Sequence, residues 1–298
     1  MEMKILSGPT SGELSSKMIE KLDLPSIKLE SKFFTDGETY LRIDGEVENE
    51  DILLIENTYP NQEKRLLEIM LIASTLKEYK ASKVYLFAPY LCYARADRRR
   101  LDKEVISHKI TLELLYKSGV DSIITFNVHN REAFVSLVPE LEKYDINALQ
   151  SIKEYLREKI DAETVLVGPD KGVDSDLKSL SEELGTSYFC LEKYRNPKTH
   201  EITITDEGSN FEDKNIVLID DVITSGGTAL EASRLILSRK PKRLRFIVVH
   251  ALAKPEIFSK FKQIGVSEVI STNTIIRPDI KQIDICFTAS KFIKDKFL

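Results

Sequence analysis

The sequence has few cysteines and no long apolar run, and each shortage excludes a class of protein. Cys92, Cys190 and Cys286 lie far apart and form no CxxC pair, so we expect neither a disulfide framework nor a zinc site. The N-terminal residues lack the apolar stretch of a signal peptide, and no run approaches the ~18 apolar residues that span a bilayer. We therefore expect a soluble protein of the reducing cytoplasm, with no membrane partner.

Basic residues are outnumbered by acidic ones, 43 to 48, giving a formal net charge of -5 at pH 7. This balance argues against nucleic acid as the main partner, because proteins that bind its phosphate backbone usually present a net basic face. A local basic pocket for a small anion stays open. Hydrophobic residues make up 42% of the 298 residues, which is typical of a folded protein, and the length suits two domains of roughly 150 residues.

Short apolar runs alternate along the chain with segments of helical spacing. The runs that have the length of strands buried on both faces are 51–57, 83–90, 122–129, 164–170, 215–222 and 244–253. Between the first two, segment 62–79 has apolar residues at steps of three and four, which predicts one helix face. The order strand, helix, strand predicts an α/β protein with mainly parallel sheets. Polar segment 196–215 predicts a mobile hairpin or flap outside the sheet core.

Segments 51–73 and 215–237 are alike, since their apolar positions coincide along both the strand and the helix. Duplication would explain this, and so would the shared periodicity of any two strand-helix units. The second copy has two acids and TSGGT after its apolar run, whereas the first has residues 57–60 and no glycine. Only the second copy therefore has the composition of a phosphate site.

The strongest functional signal is IVLIDDVITSGGTAL at 216–230, in which an apolar strand leads into two carboxylates, hydroxyls, two glycines and a helix. Ligands of open parallel sheets bind at the carboxyl ends of the strands. Glycines allow a tight turn close to a ligand, and the free N–H groups of a helix start face an anion. The residues of this predicted phosphate cradle are Thr224, Ser225, Gly226, Gly227 and Thr228.

Asp220 and Asp221 precede the cradle by about the reach of a sugar ring. They are suited to accept hydrogen bonds from ribose hydroxyls or to approach a hydrated metal. The segment is not a P-loop, because GxxxxGK[ST] is absent. For a lone SGG, a glycine turn with a hydroxyl helix cap would be the simpler interpretation; the strand and acid pair favour a phosphate site.

The acid pair and glycine loop resemble the signature that binds phosphoribosyl diphosphate (PRPP) in phosphoribosyltransferases and in ribose-phosphate diphosphokinases. Further segments are similar to the diphosphokinase family, in its archaeal form. FFTDGETYLRI (33–43) resembles the family segment that reaches a neighbouring subunit's nucleotide site. The resemblance implies that Phe34 stacks on the base and that Asp36, Gly37 and Glu38 contact the nucleotide. It also implies a homo-oligomer, a dimer or higher.

Two more segments resemble nucleotide-binding parts of the family. APYLCYARADRRRLD (88–102) implies that Arg95 binds the triphosphate and that Ala96, which stands where the family has glutamine, also lies at the nucleotide. FNVHN (126–130) implies that His129 contacts Mg²⁺ or the nucleotide, although Asn127 replaces the usual acid. Judged alone, the arginine run would be a solvated loop and the histidine a structural residue.

The remaining resemblances concern the metal and the catalytic loop. Asp170, in LVGPDKG (166–172), is implied as the metal-binding partner of His129; just beyond it, where the family often has arginine, this chain has Asp174 and Asp176. YFCLEKYRNP (188–197) resembles the strand that enters the catalytic loop. It implies that Lys193 and Arg195 are catalytic and that Arg195 also contacts ribose 5-phosphate. Without the other motifs it would be an ordinary charge cluster.

The resemblance implies two similar domains of the type I phosphoribosyltransferase-like fold. We expect a nucleotide-binding and oligomerising domain at 1–144 and a domain with the ribose 5-phosphate loop at 145–298. The implied reaction moves the β,γ-diphosphoryl group of ATP to the 1-hydroxyl of ribose 5-phosphate, with Mg²⁺ as cofactor. Two alternatives stay open: a phosphoribosyltransferase that consumes PRPP, which commonly needs only one such domain, and a catalytically silent regulatory paralogue.

Overall fold

The computed structural model describes residues 3–195, 202–206 and 209–298, except for the side chains of residues 193–195 and 202–204. The chain is divided into two compact units. The first comprises Met1–Asn147 and Cys286–Leu298, and the second comprises Ala148–Ile285. Within the described residues, no helix is both long and apolar enough to cross a membrane.

The first unit is built on a mainly parallel sheet. Its strands are β1 (Met3–Ser7), β2 (Ser26–Phe33), β3 (Thr39–Asp44), β4 (Asp51–Ile55), β5 (Lys83–Phe87), β6 (Ser122–Phe126) and β7 (Glu142–Ile146). They lie in the order β3-β2-β1-β4-β5-β6-β7, and all neighbours are parallel except β2 and β3. Its first helices are α1 (Gly12–Leu22), α2 (Gln62–Glu78), α3 (Ser107–Lys117) and α4 (Arg131–Ser136).

The second unit repeats this plan. Its strands are β8 (Thr164–Gly168), β9 (Ser187–Cys190), β10 (Glu192–Arg195), β11 (Ile202–Thr205), β12 (Asn215–Ile223), β13 (Arg243–Ala251), β14 (Glu268–Thr272) and β15 (Lys281–Ile283). The parallel sheet has the order β15-β14-β13-β12-β8-β9. Its helices are α5 (Leu149–Leu156), α6 (Asp174–Leu184), α7 (Gly227–Ser238) and α8 (Pro255–Ile264).

The predicted α/β architecture is confirmed. Each of the six apolar runs contains a strand, and segment 62–79 forms α2. In the second half of the chain, β10 and β11 pair as a two-stranded antiparallel sheet apart from the main sheet, while residues 196–201, 207 and 208 of the predicted flap lie outside the described residues. The strand order β2-β1-β4-β5-β6-β7 in the first unit has the same connectivity as β9-β8-β12-β13-β14-β15 in the second. This shared connectivity favours duplication over coincidence for the repeated strand-helix segment, and it makes β4 the counterpart of β12.

The last helix, α9 (Cys286–Phe297), belongs to the first unit, although the sequence division assigned all of 145–298 to the second domain. Its Phe297 ring lies 4.8 Å from Tyr85 and 5.3 Å from Tyr144, both in the first unit. The first unit also extends to residue 147 rather than 144. The apolar stripe of α9 predicts that this helix packs on an apolar surface. The stripe does not predict which of the two sheets provides that surface.

His108 provides a test of the first unit's packing. The side chain is fully buried, and its ring stacks 5.9 Å from that of Phe134. Burial lowers the His108 pKa to about 4, and the charge of Asp97 offsets only part of this. The unfolded chain therefore takes up a proton at higher pH than the folded one, so stability should be lost as pH falls from about 6.5 to about 4, on the order of 3 kcal/mol.

Urea unfolding of wild type and His108→Phe between pH 7 and pH 4 measures this loss. Phenylalanine keeps a stacking ring but does not titrate, so we expect the variant's free energy of unfolding to fall less steeply with pH. Parallel curves for the two proteins would show that His108 does not carry the effect.

Candidate active site

The predicted phosphate cradle lies where β12 turns into α7. Gly226 is the residue before the helix and has φ +78°, in the left-handed region. A Cβ atom built on Gly226 would lie 2.5 Å from Ile257 Cγ2, so both the backbone conformation and the space require glycine. The strand before it is apolar and buried at residues 216–219, which fixes where the loop begins.

The amides of this loop are free to bind a ligand. Within the described residues, none of the backbone N–H groups of residues 224–228 donates to another protein group. Thr224, Ser225 and Gly227 are exposed, while Thr228 is half-buried. The start of α7 adds its partial positive charge at the same place. Hydroxyls and unpaired amides at a helix start are what an anion such as a sugar phosphate requires.

The acid pair stands next to the cradle on β12. The backbone N–H of Asp221 donates to Asp220 Oδ1 at 2.9 Å. Burial and the adjacent Asp221 charge raise the pKa of Asp220 well above its ordinary value, and Asp170 adds to this effect. Because burial and the adjacent charge disfavour the ionised form of Asp220, donors from a ligand or the charge of a cation would stabilise it.

Asp170 follows β8, the strand beside β12. Its Oδ1 accepts a hydrogen bond from Gly172 N at 2.8 Å and so caps the 3₁₀ turn Lys171–Val173. Beyond this turn, Asp174 and Asp176 occupy the first turn of α6. Negative charge stabilises a helix start, which gives these acids a structural role at the place where the family often has arginine.

A divalent cation fits the chemistry of this strand edge. Asp170, Asp220 and Asp221 supply carboxylate oxygens, the ligands that Mg²⁺ prefers, and burial together with the charge of Asp221 raises the pKa of Asp220. Among the described residues, no group of three metal-binding side chains is already gathered as a site. The implied pairing of Asp170 with His129 joins residues of different units and stays a prediction.

Lys193 and Arg195 lie on β10, where their backbones pair with Ile204 and Ile202 of β11. Their side chains lie outside the described residues. Their catalytic role therefore stays a prediction from the resemblance.

The predicted nucleotide segment is the tight turn between β2 and β3 in the first unit. Phe34 N donates to Glu38 O at 2.9 Å, and Gly37, with φ +93°, donates to Phe34 O at 3.0 Å. Asp36 Oδ1 accepts from Glu38 N at 3.0 Å. All four residues are exposed, and 47% of Phe34 is accessible. The turn therefore presents an aromatic face and carboxylates outwards.

Arg95 and His129 follow the neighbouring strands β5 and β6, so both stand at the carboxyl edge of the first sheet. Both residues are exposed. Ala96 is half-buried, and its carbonyl accepts a hydrogen bond from His108 N at 3.2 Å. An alanine offers no side-chain amide in place of the family's glutamine, and the contact of Ala96 with the nucleotide stays a prediction.

Glu56 is a residue whose importance the sequence reasoning missed. It follows β4 at the place that Asp220 has in β12, but it is fully buried. Burial raises the pKa of Glu56, and its carboxylate accepts hydrogen bonds from both the backbone N–H, at 3.0 Å, and the hydroxyl of Thr10. In the first unit the carboxylate of Glu56 therefore accepts its hydrogen bonds from the protein itself. In the second unit the loop amides next to the equivalent Asp220 donate to no protein group within the described residues and can bind a ligand.

Replacing Gly226 by alanine tests the cradle. The left-handed conformation should cost about 1–2 kcal/mol, and the Cβ atom would also press on Ile257, so the loop should shift. For ribose 5-phosphate, the substrate that the sequence resemblance implies, we expect KM to rise by roughly tenfold or more. Gly185→Ala is the matched control, because Gly185 has φ +66° with open space around it and lies at the end of α6. Thermal unfolding should show that both variants are less stable than wild type. Steady-state kinetics should show a raised KM only in Gly226→Ala.

Comparison with known proteins finds relatives that match nearly the whole chain. A family model described as the N-terminal domain of ribose phosphate pyrophosphokinase matches residues 3–119, and one described as the phosphoribosyl transferase domain matches residues 141–278. The ribose-phosphate pyrophosphokinase of Sulfolobus acidocaldarius is 34% identical over 92% of this chain and 93% of its own length. That of Methanobrevibacter smithii is 32% identical over 98% and 100%.

Among solved structures, phosphoribosylpyrophosphate synthetase from Mycobacterium smegmatis superposes with a TM-score of 0.88. The match covers 100% of this chain and 99% of that protein at 22% sequence identity. At this identity the superposition establishes the fold, with its two phosphoribosyltransferase-like halves.

Proposed function

Since the chain belongs to the ribose-phosphate pyrophosphokinase family, we propose that it transfers the β,γ-diphosphoryl group of ATP to the 1-hydroxyl of ribose 5-phosphate, giving PRPP and AMP. The observation that carries the proposal is the end of β12, where unpaired loop amides stand beside two carboxylates. A sugar phosphate offers an anion for the amides and hydroxyl donors for the carboxylates.

The residues of the second unit hold the acceptor. In the proposed complex, the amides and hydroxyls of residues 224–228 bind the 5-phosphate, and Asp220 and Asp221 accept hydrogen bonds from ribose hydroxyls. This grip fixes the anomeric oxygen, which attacks the β-phosphorus of ATP as the bond to the AMP oxygen breaks. Alignment and charge stabilisation supply most of the catalysis in such transfers, because the protein forms no covalent intermediate.

The residues of the first unit hold the donor. Phe34 offers a stacking face for the base, and Arg95 offers a guanidinium for the phosphates. The exposed turn of residues 34–38 is free to reach a second copy of the chain, as the proposed homo-oligomer requires. Light scattering of the purified protein tests that state. A cytoplasmic location belongs to the same proposal.

Mg²⁺ is the cofactor that we propose, with Asp170 and His129 as its protein contacts. When bound, it would neutralise part of the negative charge on the phosphates of ATP. Lys193 and Arg195 are proposed to lie over the charge that develops on the transferred group.

Phosphorus NMR of the purified protein with ATP, ribose 5-phosphate and Mg²⁺ tests the reaction. AMP and a sugar-linked diphosphate should appear together, and EDTA should prevent their formation. A requirement for a nucleobase, with release of diphosphate, would favour a phosphoribosyltransferase. Absence of turnover in every mixture would favour a silent paralogue, an outcome in keeping with Ala96 at the glutamine position.

A further inference from the structure

The loops that carry Arg95 and His129 are joined by a partly buried hydrogen bond. Asn130 Nδ2 donates to Asp97 Oδ2 at 2.5 Å. Asp97 is only 8% exposed, although it is a carboxylate. Arg95 stands two residues before Asp97, and His129 stands directly before Asn130. The bond therefore connects the loop after β5 to the loop after β6 within two residues of each proposed nucleotide contact.

Asn130 is held at both ends of its amide. While Nδ2 donates to Asp97, Oδ1 accepts from Ala133 N at 3.1 Å and caps α4. The cap fixes which end of the amide faces Asp97, because only the oxygen accepts. Rotation of Asn130 would break the cap and leave a buried carboxylate without this donor, which is costly.

The loop after β5 is held by a second contact. The backbone N–H of His108 donates to Ala96 O at 3.2 Å, which ties the residue between Arg95 and Asp97 to the start of α3. With the loop fixed to α3 at Ala96 and to α4 through Asp97 and Asn130, small movements of Arg95 relative to His129 are restricted.

We propose that the Asp97–Asn130 hydrogen bond is a positioning device that sets the spacing between Arg95 and His129 and thereby the affinity for the nucleotide. The inference rests on the proposed function, in which these two residues contact ATP. Asp97 and Asn130 act through their neighbours, so they are positioning residues. Their effect should be specific to the donor and absent for ribose 5-phosphate, which binds in the second unit.

The bond can be broken without loss of the helix cap. Asn130→Asp keeps an oxygen for Ala133 N but sets a second carboxylate against Asp97, and Asn130→Ser keeps a capping hydroxyl that is too short to replace the amide donor. We expect the Kd and KM for ATP to rise by roughly tenfold in Asn130→Asp and by less in Asn130→Ser. KM for ribose 5-phosphate should stay within about twofold of wild type.

The double variant Asp97→Asn with Asn130→Asp provides the decisive comparison, because the amide and carboxylate exchange places and the hydrogen bond re-forms in reverse. We expect ATP affinity to return to within about threefold of wild type. The inference is overturned if Asn130→Asp leaves ATP affinity unchanged, if the double variant does not recover it, or if both substrates weaken in parallel.

Calorimetric titration with ATP separates this inference from the proposed function. If wild type and the variants show the expected differences in ATP affinity but wild type makes no PRPP, the function is refuted and the positioning role stands. If wild type makes PRPP but the variants bind ATP as tightly as wild type does, the positioning role alone is refuted. A wild type that does not bind ATP would refute both.

Discussion

Replacing Lys193 by alanine is expected to lower kcat by roughly a thousandfold while the KM values for ATP and ribose 5-phosphate stay within about threefold. The ammonium group is proposed to act on charge that grows only as the diphosphoryl group moves. An interaction made in the transition state, and not with bound substrates, appears in turnover and not in affinity. Steady-state kinetics with each substrate varied in turn measures both quantities.

Lys178→Ala is the control for Lys193→Ala. Lys178 is an exposed lysine of α6 in the same unit, and its removal changes the net charge by the same amount. It should leave kcat unchanged. Near-normal turnover of Lys193→Ala would show that the catalytic role inferred from the resemblance is wrong, and an equal loss in both variants would indicate a general electrostatic effect.

Most of the sheet architecture could be predicted because its signal is local. Strands buried on both faces must be apolar throughout, and runs such as 83–90 and 122–129 have that composition whatever their neighbours are. The position of the phosphate loop can be predicted for the same reason. An acid pair and a glycine turn that follow an apolar run indicate the carboxyl end of a strand.

The remaining features depend on contacts between distant parts of the chain. Helix α9 closes the first unit through Phe297 and Tyr85, which lie 212 positions apart in the numbering of the printed sequence. Asn130 and Asp97 are each ordinary polar loop residues in sequence, and only the pairing of β5 with β6 brings their loops together. Such pairs leave no periodic pattern, so a single sequence does not reveal them.

The contrast between Glu56 and Asp220 shows what separates the two units chemically. The two carboxylates occupy equivalent positions, Glu56 directly after β4 and Asp220 within β12, and burial raises the pKa of each. Thr10 supplies hydrogen bonds to Glu56 from within the protein, whereas the repulsion of Asp221 adds to the burial of Asp220. Thr10 thus offsets part of the unfavourable charge in the first unit, whereas in the second unit a bound substrate can offset it.

Asp220→Asn should therefore change activity and stability in opposite directions. Loss of the carboxylate removes charged hydrogen bonds to the ribose, so we expect kcat/KM for ribose 5-phosphate to fall by roughly a hundredfold. The same change removes a buried charge beside Asp221 while the amide oxygen of the new side chain can still accept from Asp221 N, so the variant should be more stable than wild type near neutral pH.

The pH dependence of this gain follows from the direction of the pKa shift. Because the folded-state pKa of Asp220 is raised, wild type loses stability as pH rises from the ordinary carboxyl range through the raised value. The amide in Asp220→Asn cannot titrate, so urea unfolding in EDTA should show the variant's advantage growing between pH 4 and pH 8. Asp279→Asn is the opposite control: hydrogen bonds from Arg277 lower the Asp279 pKa, so this variant should be less stable than wild type at pH 8. An Asp220→Asn protein that is inactive but no more stable than wild type would show that the carboxylate of Asp220 does not destabilise the folded protein.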